Sequence, residues 1–166
     1  MNVNRTAFLA MIARAEGTST SPATTFQGYD IVVTGADGKP EIFDDFSTHP
    51  FARGRAAKLI RPARPGAKAL YSTASGRYQC LLSNWTHYSA LLELPDFGPE
   101  SQDAIAIQQI TEFGALGYID NGQFEVAVLR VSPLWASLPR AGYGQPEHTL
   151  AQVQQWYCAA GGTVEA

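Results

Sequence analysis

Residues 4–18 read NRTAFLAMIARAEGT. Phe8, Ile12 and Ala15 stand four and three positions apart, which is one apolar stripe of a helix that starts near Asn4. The pattern stops at Glu16, and Gly17 behind it suits a helix end because it lacks a Cβ. A glutamate in a last turn opposes the helix dipole, which favours cations there, so helical propensity does not account for Glu16. Two readings stand at this point: a solvated terminal glutamate, or a carboxyl kept for chemistry.

The rest of the chain sets the frame for that choice. Its 166 residues fit a single domain, 1–166, and a chain of this size buries roughly 70% of the surface its unfolded form exposes. The composition, 45% hydrophobic and 16% charged with net charge -3, suits a globular protein and provides no global basic field for nucleic acid. Half of the 12 basic residues nevertheless fall in one stretch, as Arg53, Arg55, Lys58, Arg61, Arg64 and Lys68. That stretch reads either as a solvated basic loop or as a site of attraction for an anionic polymer. No run approaches the roughly 20 apolar residues of a spanning helix, and FLAMIA is too short and too soon followed by Arg14 and Glu16 to be a secretory segment. The expectation is a cytoplasmic chain with no stable membrane insertion. Cys80 and Cys158 lack CxxC spacing and read as two buried thiols.

Along the chain, TSTSPATTFQG (18–28) is a loop, and YDIVVTGADGKPEIFDDF (29–46) offers two short strands around an Asp37-Gly38 turn. Residues 51–70 have two prolines and two glycines among the basic residues and read as a long exposed loop with at most a helical turn. A short strand or turn follows at Ser75–Gln79. Helical spacing then places Leu81, Trp85, Tyr88 and Leu92 on one face, Ala104, Ile107 and Ile110 on a second helix entered through Pro99, Phe124, Val128 and Val131 on a third, and Leu150, Val153 and Tyr157 on a fourth. A helix, a small antiparallel β region and then several helices make an α+β domain with a helical lobe and a cleft between the two parts. His49, His87 and His148 have no ligand spacing, and no phosphate-cradling or nucleophile-elbow motif occurs, so no metal or cofactor is expected. Trp85 and Trp156 read as core residues; Trp135 reads equally as core or as a sugar platform.

Nine segments in order, FLAMIARAEGT, GYDIVV, EIFDDFSTHP, SGRYQ, DFGPESQDAIAIQQI, GAL, WASLP, AGYGQ with EH after Pro146, and AGGTV, resemble the phage lambda endolysin family over nearly the whole chain. The resemblance implies a lysozyme-like fold and a lytic transglycosylase that cleaves the MurNAc–GlcNAc bond of peptidoglycan glycan strands, lysing the host. It implies Glu16 as the single catalytic acid, placed at the end of the first long helix. Chemistry agrees: the leaving oxygen needs a proton, and a Glu beside apolar residues stays protonated near neutral pH. The muramic acid 6-hydroxyl can serve as nucleophile, with Glu16 protonating the leaving oxygen and then accepting that hydroxyl's proton. A hydrolytic muramidase on the same fold would need a second carboxylate, for which Asp30, Asp44 and Asp45 are candidates, and a non-catalytic wall-binding protein is the remaining alternative. Ser75, Tyr78 and Gln79, with Gln27, Tyr29 and Tyr143, are candidate sugar contacts. A monomer is expected, held in the host cytoplasm until a holin releases it to the periplasm and cell wall. Residues 51–70 are longer and more basic than the family's loop.

Overall fold

The computed structural model describes residues 2–144 and 146–165; Gln145 of the AGYGQPEH stretch lies outside them. The chain forms two compact units, Met1–Gly17 with Ala106–Ala166, and Thr18–Ile105.

The first unit is helical. Helix α1 (Val3–Ala15) packs on α4 (Leu116–Asp120) and α6 (Leu150–Ala159), and α5 (Phe124–Val131) packs on α4. The Asn2 side chain starts α1 by accepting from the Asn4 backbone N–H at 2.8 Å, which satisfies one of the donors a helix start leaves open. The helix ends where Gly17, at φ +72°, turns out of the helical path. Phe8 and Ile12 are fully buried and Ala15 nearly so, as their spacing requires. Phe8 meets Phe124 edge-on at 6.1 Å, and Phe124 stacks on Tyr157 at 4.7 Å. Phe124, Val128 and Val131 are buried together on α5, and Val153 and Tyr157 on α6, where Thr149 and Gln152 form a capping box. Arg5 grips Asp120 through two hydrogen bonds of 2.7 and 2.6 Å, which ties α1 to α4. Helix α4 carries a single buried residue, Ile119, so it has no apolar periodicity to read in advance.

The second unit holds two antiparallel hairpins and helix α2 (Leu82–Leu91). Strands β1 (Ile31–Val32) and β2 (Glu41–Ile42) pair with Ile31 opposite Ile42, around the expected turn at Asp37-Gly38. Residues 51–70 are not a plain loop. Lys58–Arg61 form β3 and pair with β4 (Leu70–Ser72), with a bulge between Leu59 and Arg61. The period-2 alternation of half-buried and exposed residues in KLIR was hidden because every side chain, apolar or basic, is at least partly wet in a two-stranded hairpin. The prolines that argued for a loop sit outside the paired strands, with Pro65-Gly66 in the connection where Arg64 and Ala67 exchange hydrogen bonds of 2.9 Å. Trp85, Tyr88, Phe97, Ile105 and Cys80 form the core of this unit.

Helix α3 (Pro99–Glu112) has residues 99–105 in the second unit and 106–112 in the first. Its buried face is Ser101, Gln102, Ile105, Ala106 and Ile110; of the expected Ala104–Ile107–Ile110 stripe Ile110 is fully buried, whereas Ala104 and Ile107 are only half-buried. Two polar residues displace the stripe because Gln102 uses its amide on loop backbone rather than on water. Cys80 is buried as expected, but Cys158 is exposed near the end of α6 and is no core thiol. Trp85 and Trp135 are buried, whereas Trp156 is only partly so.

Candidate active site

Glu16 caps α1, with its backbone N–H on the Ile12 carbonyl at 2.9 Å. Its side chain leaves the helix and is partly exposed. Ser137, from the WASLP segment, donates its hydroxyl proton to Glu16 Oε1 at 2.5 Å. Burial pushes the Glu16 carboxyl above the ordinary glutamate range, and the hydroxyl and backbone N–H of Ser137, with the His148 charge, pull against that rise without cancelling it. The ring of His148 donates to the Ala15 carbonyl at 3.1 Å, and its backbone N–H donates to the Ser137 carbonyl at 2.9 Å. One histidine thus joins the end of α1 to the strand of chain that carries Ser137. His148 rests edge-on against Trp156 at 4.8 Å, and Arg14 lies over the same ring at 5.0 Å. The glutamate that opposes its helix dipole is held by side chains more than a hundred residues away in sequence, which is the answer to its odd position.

The SGRYQ segment of the second unit is a tight turn bracketed by the Ser75–Cys80 bridge, with hydrogen bonds of 2.9 and 2.8 Å. Gly76 sits at φ +76°, and a Cβ there would run into the Gln102 amide. That amide accepts from the Arg77 backbone N–H at 2.8 Å and donates to the Tyr29 and Phe97 carbonyls at 3.1 and 2.8 Å. Tyr29 and Tyr78 converge on one oxygen of Asp103, donating at 2.9 and 2.6 Å. Burial, reinforced by the Asp103 charge, raises the pKa of both phenols, so they remain donors across the physiological range. Arg77 lies over the Tyr29 ring at 4.9 Å and bonds to the Gln27 carbonyl.

Among the expected sugar contacts, Tyr29, Tyr78, Gln79 and Gln27 all belong to this one network. Ser75 does not fit the role: its side chain is wholly buried and donates to the Thr73 carbonyl at 3.2 Å. Tyr78 is also buried with its hydroxyl committed to Asp103, so both residues shape the turn rather than present a free group. Gln79 is partly exposed, with Nε2 on the Gly76 carbonyl at 3.1 Å, and Gln27 is exposed at φ +54°. Tyr143 belongs to the other unit, is 57% exposed, and donates to the Pro133 carbonyl at 2.7 Å. Ser137, Gln102 and Asp103 were not expected from the sequence. The first lies in the WASLP segment but has no periodic signal of its own, and the other two resemble ordinary helix surface until their partners are known.

The candidate second carboxylates have other duties. Asp30 is buried and accepts from Thr24 and from the backbone and hydroxyl of Thr25, both at 2.8 Å. Burial alone would raise its pKa, but these donors outweigh it and hold the carboxyl below the usual range. Asp45 is exposed, bonds Ser47, and pairs with Arg53 at 3.0 Å. Asp44 is exposed.

An Endolysin family profile matches residues 6–164 of the chain. The chain is 55% identical over 159 residues to the endolysin of Escherichia phage P2, covering 96% of this chain and 93% of that protein. Over 165 residues it is 45% identical to the endolysin of Escherichia phage lambda, covering 99% and 95%. Bacteriophage lambda lysozyme complexed with a chitohexasaccharide matches with a TM-score of 0.87 at 44% identity, covering 99% of this chain and 98% of that one. A second structure of the lysozyme from bacteriophage lambda gives 0.80 at 43%, with the same coverage. The architecture is therefore the expected α+β, lysozyme-like one. With both the profile and the phage relatives spanning almost its full length, the chain belongs to the endolysin family.

Proposed function

We propose that the chain is a peptidoglycan lytic transglycosylase with Glu16 as its acid and base. The observation that carries this reading is the carboxyl of Glu16, raised in pKa by burial and held at one oxygen by Ser137. With Oε1 engaged, Oε2 is the oxygen that carries the proton to the glycosidic leaving group. Loss of that proton leaves a carboxylate, which the Ser137 donors then stabilise, and which can take the proton of the muramic acid 6-hydroxyl as its oxygen attacks the anomeric carbon. The products are a new chain end and a 1,6-anhydro sugar, with no water consumed.

The absence of work for a second carboxylate is consistent with the other acidic candidates, since Asp30 and Asp45 are tied to loop donors and to Arg53. Likeness to a lysozyme solved with a chitohexasaccharide supports an N-acetylated glycan as ligand. Tyr29, Gln79 and Gln27 from the SGRYQ network, and Tyr143, are the proposed sugar contacts. The test is loss of turbidity in permeabilised Gram-negative cells. Glu16→Gln keeps the shape and removes the titratable proton, so lysis should fall at least about a hundredfold with an unchanged circular dichroism spectrum. Near-normal lysis by the folded variant would remove Glu16 from the reaction.

A further inference from the structure

From Phe46 to Leu92 the sequence contains no Asp or Glu, yet it carries Arg77 and the six bases of the 53–68 stretch. Most of these are answered. Arg53 pairs with Asp45, Arg55 and Lys58 share Glu41 at 2.5 and 3.0 Å, and Arg77 lies over Tyr29. The remaining three, Arg61, Arg64 and Lys68, cluster around the β3–β4 connection. All are exposed, and their side chains make no ion pair or hydrogen bond among the described residues.

The same hairpin exposes apolar side chains. Leu59 and Tyr71 face each other across the strands, 36% and 58% exposed, and Leu70 beside them is 39% exposed. Tyr71 also lines an open groove of about 650 Å³ with Leu81 and Leu82 at the start of α2, which extends the apolar surface beyond the hairpin. A strip meant only for a charged polymer has no use for three wet apolar side chains. A bilayer interface uses both kinds: cations for lipid phosphates, and Leu and Tyr for the boundary below the headgroups.

We propose that the β3–β4 hairpin is a peripheral docking surface for an anionic phospholipid bilayer. Arg61, Arg64 and Lys68 contact the phosphates while Leu59, Leu70 and Tyr71 enter the headgroup region. The chain's net charge of -3 does not oppose this, because Glu41, the carboxylate that reaches β3, is balanced by Arg55 and Lys58 together, and screening limits the reach of more distant charges to about 8 Å at physiological salt. The unpaired hairpin edges stay hydrated at that depth, so their backbone groups are not stranded in hydrocarbon. This inference does not depend on the proposed catalytic chemistry.

The full chain carrying Glu16→Gln, which keeps wall fragments uncut, is sedimented with vesicles of phosphatidylglycerol and phosphatidylethanolamine, with phosphatidylcholine vesicles, and with isolated peptidoglycan. Binding to the anionic vesicles should exceed that to phosphatidylcholine by about tenfold or more, and should weaken with salt. The triple variant Arg61→Gln, Arg64→Gln, Lys68→Gln, whose replaced side chains have no partner to lose, should melt as the parent does and lose about a hundredfold in vesicle affinity. Leu59→Ser with Tyr71→Ser should remove the binding that survives high salt. Equal binding to both vesicle types, or an unchanged affinity in the triple variant, overturns the proposal. So does loss of peptidoglycan retention in the triple variant with no vesicle binding by its parent, which would give the hairpin to the polymer.

Discussion

At the scale of single residues, the chain places two carboxyls in opposite electrostatic states by opposite means. Glu16 is raised by burial, with only Ser137 and His148 opposing, whereas three donors around Asp30 overcome its burial and keep it ionised. Each makes a prediction with a definite sign. Removing the Ser137 hydroxyl takes away a donor that favours the carboxylate, so in Ser137→Ala the Glu16 pKa rises further. The alkaline limb of the kcat/KM profile should then move to higher pH, with kcat down about tenfold from lost orientation. An unshifted profile would show that Ser137 is a packing residue only. For Asp30, a folded-state pKa below the unfolded one stabilises the fold above the ordinary aspartate value of 3.8, and that contribution disappears as pH falls through the folded value. Asp30→Asn should therefore cost about 2 kcal/mol at neutral pH and progressively less toward pH values below 3.8, as read by urea unfolding at several pH values. A penalty independent of pH would mean that the charge on Asp30 does not matter.

At the scale of elements, helices with a clean apolar stripe were legible, and the reason is visible in α1, α5 and α6. Phe8, Phe124 and Tyr157 meet in one aromatic cluster, so the 3.6-residue period reports directly on their burial. Replacing Phe8 by Ala should cost about 3–5 kcal/mol, since the ring is fully buried and the cluster cannot collapse around the gap. A loss under about 1 kcal/mol would contradict that packing. The misread elements fail for equally physical reasons. In β3 both faces are wet, so alternation carries no hydrophobic contrast, and α4 is too short to show a period. In α3 a buried glutamine takes a core position by bonding backbone at Tyr29, Phe97 and Arg77, a role that no pattern of apolar residues can announce. The candidate site divides the same way: Glu16 stood out because it contradicts the helix dipole, whereas Ser137 and Asp103 acquire meaning only from partners distant in sequence.

At the scale of the whole molecule, the proposed reaction uses one carboxyl for both proton transfers and takes its nucleophile from the substrate. Transglycosylation and hydrolysis leave different atoms in the product. Digestion of peptidoglycan in oxygen-18 water followed by mass spectrometry reads that difference directly. The proposed transglycosylase should yield unlabelled muropeptides that are lighter than the hydrolytic products by the mass of one water and lack a reducing end, with activity retained in folded Asp30→Asn, Asp44→Asn and Asp45→Asn variants. A hydrolase must place water oxygen at the anomeric carbon, directly or after a covalent intermediate. Reducing muropeptides carrying oxygen-18 would rule out transglycosylation, leaving Glu16 as an acid that works with a second carboxylate.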